Sequence, residues 1–231
     1  VLVNLRTLID EGLELTIVGS FSRAGFAVRR RLFRWTAPPA GALDGRTVLV
    51  TGPTSGLGRA TTDELAALGA RVILVGRSEA RLAAVRDALV ATHRVDRFPI
   101  VVADMGALHT VRAAVARILD SESRLDILID NAGAIVPERI EGPDGIEATL
   151  ATLVVGPFTL ISGLLPLLRG TDGARVISVT SGGMYWQPVD LDDLQWASGS
   201  FSGTRAYARA KRVQVALVRE WARRLESSGV T

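Results

Sequence analysis

A chain of 231 residues, 48% of them hydrophobic, is long enough for one α/β domain with a large core and too apolar to stay disordered. Cysteine is absent and histidine is confined to His93 and His109, which argues against a disulfide framework, a thiolate centre or any dedicated metal site. The net charge of +3 sits wholly in residues 1–40, where six arginines face Asp10, Glu11 and Glu14; the remainder balances at 21 against 21 and offers no basic face for nucleic acid.

Residues 1–40 read as a basic, amphipathic extension. They lack the basic start, apolar core and small-residue cleavage site of a signal peptide, so a cytoplasmic location is expected. Within them FAVRRRLFRW interleaves Phe26, Leu32, Phe33 and Trp35 with arginines. Two readings stand for residues 23–35: a contact with an anionic membrane surface, or a helix packed on the domain with its arginines in water.

PPAGALDGR (38–46) is a Pro/Gly-rich joint, and a regular pattern follows it. Short β-branched runs recur: TVLVT (47–51), RVILVG (71–76), PIVVAD (99–104), LDILID (125–130) and ARVISVT (174–180). Each is nearly all apolar, as strands buried on both faces must be. Between them RATTDELAALG and ARLAAVRDALVA place Ala and Leu on one helical stripe and charges on the other. The alternation predicts a doubly wound parallel α/β sheet as a single domain over residues 44–231. From Ala148 to Leu168 the chain carries no charge and is long enough to span a bilayer. Gly156, Pro157 and Pro166 interrupt it, and a buried or subunit-interface helix is the favoured reading, which leaves a homodimer open.

The first strand runs into TGPTSGLG, Thr51 to Gly58. Glycines between a strand and a helix let the backbone approach a pyrophosphate, whose charge then meets the positive helix N-terminus near Leu57. At the end of the second strand Arg77 stands where an acidic residue would hold the ribose of NAD; a guanidinium there suits the extra phosphate of NADP, or else it is a solvated loop cation. Tyr207 and Lys211 in AYARAK are four apart, about 6 Å along one helical face, able to point at one ligand.

Taken together, TGPTSGLG, the DNAG at Asp130 to Gly133, Ser181 in VISVTSGG and YARAK resemble, in order and spacing over residues 44 to about 226, the classical short-chain dehydrogenase/reductase family. SGGM and FSGTRAYARAKRVQVALVREWA are most similar to the branch called dehydrogenase/reductase family member twelve, which also carries an N-terminal extension. The resemblance implies a Rossmann-type fold and an oxidoreductase that interconverts an alcohol and a carbonyl, with NADP(H) preferred and NAD(H) the alternative. A carbonyl that receives hydride needs a proton, and Tyr207 is the implied acid. Lys211 would favour its phenolate and hold the nicotinamide ribose, and Ser181 would orient the substrate oxygen. Thr51, Gly52, Ser55, Gly56, Leu57 and Gly58 would form the pyrophosphate turn. Asn131, Ala132 and Gly133 would close over the cofactor, with Asp104 and Met105 beside the adenine. For Asp104 an N-cap ahead of GALHTV is the simpler role.

Two departures from the family pattern stand out. Counting back from Gly156, Leu153 occupies the usual place of an Asn that supports a water-linked proton path. The chain also stops at Thr231, where the next strand and its nicotinamide contact are expected, so a fragment or a truncated fold is anticipated. A nucleotide-binding sensor or scaffold without turnover is therefore the competing class. Met184, Tyr185, Trp186 and Trp196 suggest an apolar wall for a hydrophobic small-molecule substrate.

Overall fold

The computed structural model describes residues 5–16, 19–20 and 22–231. The chain divides into two compact units, Val1–Pro39 and Ala40–Thr231. In the first, helices α1 (Leu5–Glu14) and α2 (Arg23–Leu32) are joined by Arg29, which pairs with Asp10 at 2.5 Å and Glu14 at 2.6 Å. The Ser22 hydroxyl caps α2 by accepting the Gly25 amide at 3.1 Å. After α2 the Phe33 and Trp35 rings stack, 6.1 Å between centroids.

The second unit is a five-stranded sheet. β1 (Thr47–Thr51), β2 (Arg71–Gly76), β3 (Ile100–Val102), β4 (Ile127–Asp130) and β5 (Arg175–Ser178) lie in the order β3-β2-β1-β4-β5, every pair parallel. β1 and β2 have the predicted limits, while β3, β4 and β5 are shorter than their apolar runs. Successive side chains of a strand point to opposite faces. Leu49, Ile73 and Leu128 therefore meet helices α5 (Leu108–Ser121) and α6 (Ala148–Arg169) on one side. Val48, Val50, Val72 and Leu74 meet α3 (Gly56–Ala67) and α4 (Glu79–His93) on the other. Both faces of the three central strands are covered, which is why those runs are continuously apolar. The expectation of two-sided burial fails at the edges, where Val102 and Ile177 are exposed because each edge strand has a neighbour on one side only.

The uncharged segment forms α6. By length and composition it could cross a membrane, yet Leu160, Ile161, Leu164 and Leu168 are fully buried in the core against α5. Between Ala151 and Val155 the helix widens into a π turn, with the Gly156 amide bonded to Ala151 O. Pro157 accounts for this, since its ring cannot donate to the carbonyl of Leu153 and crowds it. Gly156 follows because α6 crosses β3's exit closely: a Cβ there would lie 2.1 Å from Met105 O. The long helix α7 (Gly203–Leu225) completes the layer, and the Phe158 and Trp221 rings stack at 5.5 Å between α6 and α7.

At the N-terminal end of the central strands, Asp126 receives Arg46 at 2.7 Å, the Thr47 amide at 2.9 Å and Arg124. Burial opposes its charge, but the bonds from Arg124, Arg46 and Thr47 prevail and hold its pKa at about 2. Because the folded value lies below the unfolded one, this stabilisation is complete above about pH 4 and fades as pH falls toward 2. Asp126→Ala, which orphans the Thr47 amide, is expected to cost about 2 kcal/mol at neutral pH. Urea unfolding at pH 7 and again near pH 2.5 checks this, with the gap between variant and parent narrowing in acid.

Candidate active site

Where the sheet order reverses, β1 and β4 end side by side, the place at which doubly wound sheets open a crevice beyond their C-terminal ends. Two side chains fasten these ends together. The buried Thr51 hydroxyl accepts the amides of Asn131 at 3.0 Å and Ala132 at 2.9 Å. In return Asn131 Nδ2 donates to Thr51 O at 3.0 Å. Asn131 thus braces the glycine turn from below. Gly52, at φ +69°, starts that turn, and Gly58 lets α3 settle on it, since a Cβ at Gly58 would come within 2.1 Å of Gly52 O.

Gly56 differs from these two: its φ is +53° and a Cβ there would meet nothing within 4 Å. Its side faces open space in front of α3. Ser55 is the N-cap of α3 but accepts none of the helix amides, and Ser55, Gly56 and Leu57 are all exposed. Uncapped amides at a positive helix end, with no side chain over them, fit a pyrophosphate.

On α7, Lys211 is 3% exposed and its Nζ lies 5.6 Å from the centre of the Tyr207 ring, donating to Val179 O at 2.7 Å. Thr180 ties the same region together, donating to Lys211 O at 3.3 Å. The next residue, Ser181, is half-buried and caps a 3-10 turn, Gly182–Trp186, that packs on α7. The structure therefore brings Ser181, Tyr207 and Lys211 to one end of β5 and α7, next to the Asn131–Gly133 turn. Leu153 fills the opposite wall: it is fully buried, and a Cβ at Gly133 would lie 2.6 Å from its Cδ2 and 3.9 Å from Lys211 Nζ.

The other predicted residues occupy varied surroundings. Arg77 is exposed between β2 and α4, directly before the N-cap Ser78. Asp104 is not the N-cap of α5: its Oδ1 accepts Gly106 N at 2.8 Å within a turn, and the first amide of α5, that of Leu108, is instead accepted at 2.8 Å by Asp144 from the loop after β4. The simpler role fails because the chain turns once more before the helix begins at Leu108. The Met105 side chain lies in the core.

Sequence reasoning missed three features. Lys211 is the only lysine among 27 Lys and Arg residues, a compositional signal present in the sequence from the start. Gln214 Nε2 donates to the buried Asp130 at 3.0 Å, a pairing across 84 positions that no local pattern announces. Arg209, inside YARAK, turns away from Tyr207; it lies over the Trp196 ring at 4.1 Å and donates to Asp193 O at 2.7 Å, anchoring the segment before α7. In the segments after β4 and β5, Ile135, Ile140, Tyr185 and Trp186 are exposed.

Comparison with known proteins agrees with this fold. The short chain dehydrogenase family pattern matches residues 46–189. The bovine dehydrogenase/reductase SDR family member 12 is 36% identical over 78% of the chain and 56% of its own length, and human retinol dehydrogenase 13 is 32% identical over 95% and 66%. The chain thus spans a little over half to two thirds of these relatives. A crystal structure of a protein from Mycobacterium paratuberculosis, 31% identical, superposes with a TM-score of 0.71 over 84% of this chain and 70% of that one.

Thr51→Val keeps the shape of the latch but strands the amides of Asn131 and Ala132. A loss of about 2–4 kcal/mol is expected, one to two for each orphaned donor. Thermal unfolding that leaves the variant within 0.5 kcal/mol of the parent, roughly the scatter of neutral substitutions, would contradict the role given to this hydroxyl.

Proposed function

Because the chain belongs to the short chain dehydrogenase family, we propose that it is an oxidoreductase interconverting an alcohol and a carbonyl with NADP(H). The observation that carries this reading is the burial of the single lysine beside the Tyr207 ring, at the sheet end where the glycine turn opens. That lysine closes no short ion pair among the described residues, and beside a phenol it has an evident chemical use.

The turn from Thr51 to Gly58, with Asn131, Ala132 and Gly133, would hold the dinucleotide, and Asp104 and Met105 would border its adenine. When bound, the nicotinamide supplies or accepts the hydride. Tyr207 passes the proton to the carbonyl oxygen, or takes it from the alcohol. The Lys211 ammonium, beside the Tyr207 ring, would hold the nicotinamide ribose, and the Ser181 hydroxyl would hold the substrate oxygen in line. Arg77 supports the choice of NADP(H) over NAD(H): it is exposed at the end of β2, where an acidic residue would favour the unphosphorylated ribose. The exposed Ile135, Ile140 and Trp186 support a hydrophobic carbonyl substrate. The outer side of α6 and α7, where Phe158 and Trp221 stack, is the surface on which a homodimer would form.

Leu153 favours a second reading, a nucleotide-binding protein without turnover, since an apolar side chain cannot pass a proton. In the N-terminal unit, Phe26 and Trp35 are exposed alongside Arg23, Arg30, Arg31 and Arg34, while Arg29 is tied to Asp10 and Glu14. That distribution supports peripheral contact with an anionic membrane through residues 23–35.

Energy transfer from the four tryptophans to the nicotinamide measures binding. NADPH is expected to bind at least about tenfold more tightly than NADH, with Arg77→Ala removing most of the difference. Tyr207→Phe is expected to lower turnover of a hydrophobic aldehyde by about 100-fold or more with NADPH affinity unchanged. Equal turnover in the variant would remove Tyr207 from the mechanism, and no turnover in the parent would select the second reading. For the N-terminal unit, sedimentation with phosphatidylserine vesicles but not with phosphatidylcholine is expected, and is to be lost in Arg30→Glu/Arg31→Glu/Arg34→Glu; equal sedimentation of parent and variant would refute the contact.

A further inference from the structure

A buried ammonium has three donors to satisfy. For Lys211, Val179 O accepts one. The α6 side provides no acceptor, because Leu153 closes the space against Gly133. The charged group behind it is Asp130 at the end of β4, 1% exposed. Gln214, three residues after Lys211 on α7, donates to Asp130 Oδ2 at 3.0 Å. Asp130 Oδ1 has no donor in full hydrogen-bonding geometry, although Ser178 stands opposite in register on β5.

We propose that Asp130 is a positioning residue for the Tyr207–Lys211 pair: Gln214 holds its carboxylate behind the Lys211 ammonium, and that carboxylate keeps the lysine charged where a leucine has replaced the polar group of the neighbouring helix. This rests on the roles given above to Tyr207 and Lys211. The surroundings leave no other anion among the described residues. Ser178 of β5 and the following Val179 O face the pair from one side, Tyr207 and Gln214 from α7, and Leu153 from α6. Arg209, on the same helix, is engaged with Asp193 and Trp196.

The electrostatics agree with the geometry. Burial pushes Asp130 up to about 6, against the pull of Lys211, Ser178 and Gln214. Burial likewise lowers Lys211, and Asp130 is the group that raises it. Above about pH 6 the carboxylate is charged and supports the ammonium; without it, the lysine loses its proton at lower pH.

Because the chain has one lysine, ε-carbon-13 lysine labelling gives a single side-chain resonance whose pH titration reports Lys211 directly. In Asp130→Asn its midpoint is expected to fall by about one unit or more, an order-of-magnitude change in proton affinity. The alkaline limb of the rate profile should move down with it, and Asp130→Glu should recover part of the shift. A midpoint unchanged in a folded Asp130→Asn chain overturns the proposal. Should that variant not fold, Gln214→Met releases the carboxylate instead, and an unmoved Lys211 resonance there is equally decisive against it. The titration needs no substrate. A shifted resonance in a chain without turnover would therefore count against the enzymatic reading alone, and an unshifted one in an active enzyme against Asp130 alone.

Discussion

The crevice depends on a pair of hydrogen bonds between strand ends. Thr51 closes β1 and Asn131 follows β4, and each satisfies backbone groups of the other's strand. Without that reciprocity two central strands would end in unsatisfied amides inside a buried sheet, which proteins avoid at a cost of kilocalories per group. With it, the chain must leave both strands at fixed angles. The glycine turn then has one course to follow, and α3 begins where its free amides face the crevice. The openness in front of Gly56 and the crowding around Gly58 are two results of the same fastening.

Strand β4 carries the electrostatic design from one end to the other. Asp126 and Asp130 bracket it, both with little exposure, yet their acidities differ by about four units in opposite senses: about 2 against about 6. The residue type is the same, so the partners decide. Asp126 sits among two guanidinium groups and a backbone amide, a setting that locks a charge and stabilises the fold. Asp130 has a neutral amide and one buried ammonium, a setting in which burial outweighs its partners and raises it. The two ends of β4 thus differ because arginines reach Asp126 and, among the described residues, none is paired with Asp130.

The opposite wall of the crevice follows from a backbone constraint in α6. Pro157 interrupts the hydrogen-bond ladder, the helix widens, and Gly156 lets it lie on Met105 O. Leu153 is carried by this widened turn to Gly133. An apolar side chain there excludes water from around Lys211, so the charge of that lysine falls to its remaining neighbours.

Much of this was legible in the sequence. The period of the apolar runs fixed the parallel sheet, with β1 and β2 to the residue, because burial on both faces leaves a continuous local signature. Glycines at 52, 56 and 58 marked the turn, and the four-residue spacing placed Tyr207 and Lys211 on one face, since helix geometry is local. Strands β3, β4 and β5 came out shorter than their runs, because a strand reaches only as far as its neighbours pair with it and the sequence does not say where that pairing stops. The cap offered as the simpler alternative for Asp104 comes instead from Asp144, which was overlooked because capping from another loop is a contact at a distance of 36 positions. Which side of Gly56 is open, what Leu153 touches and how Gln214 reaches Asp130 were decided by tertiary structure alone. These depend on distances between segments far apart in the chain, and a hydrogen bond or a close contact is set by where the fold brings two groups, not by the spacing of either in the sequence.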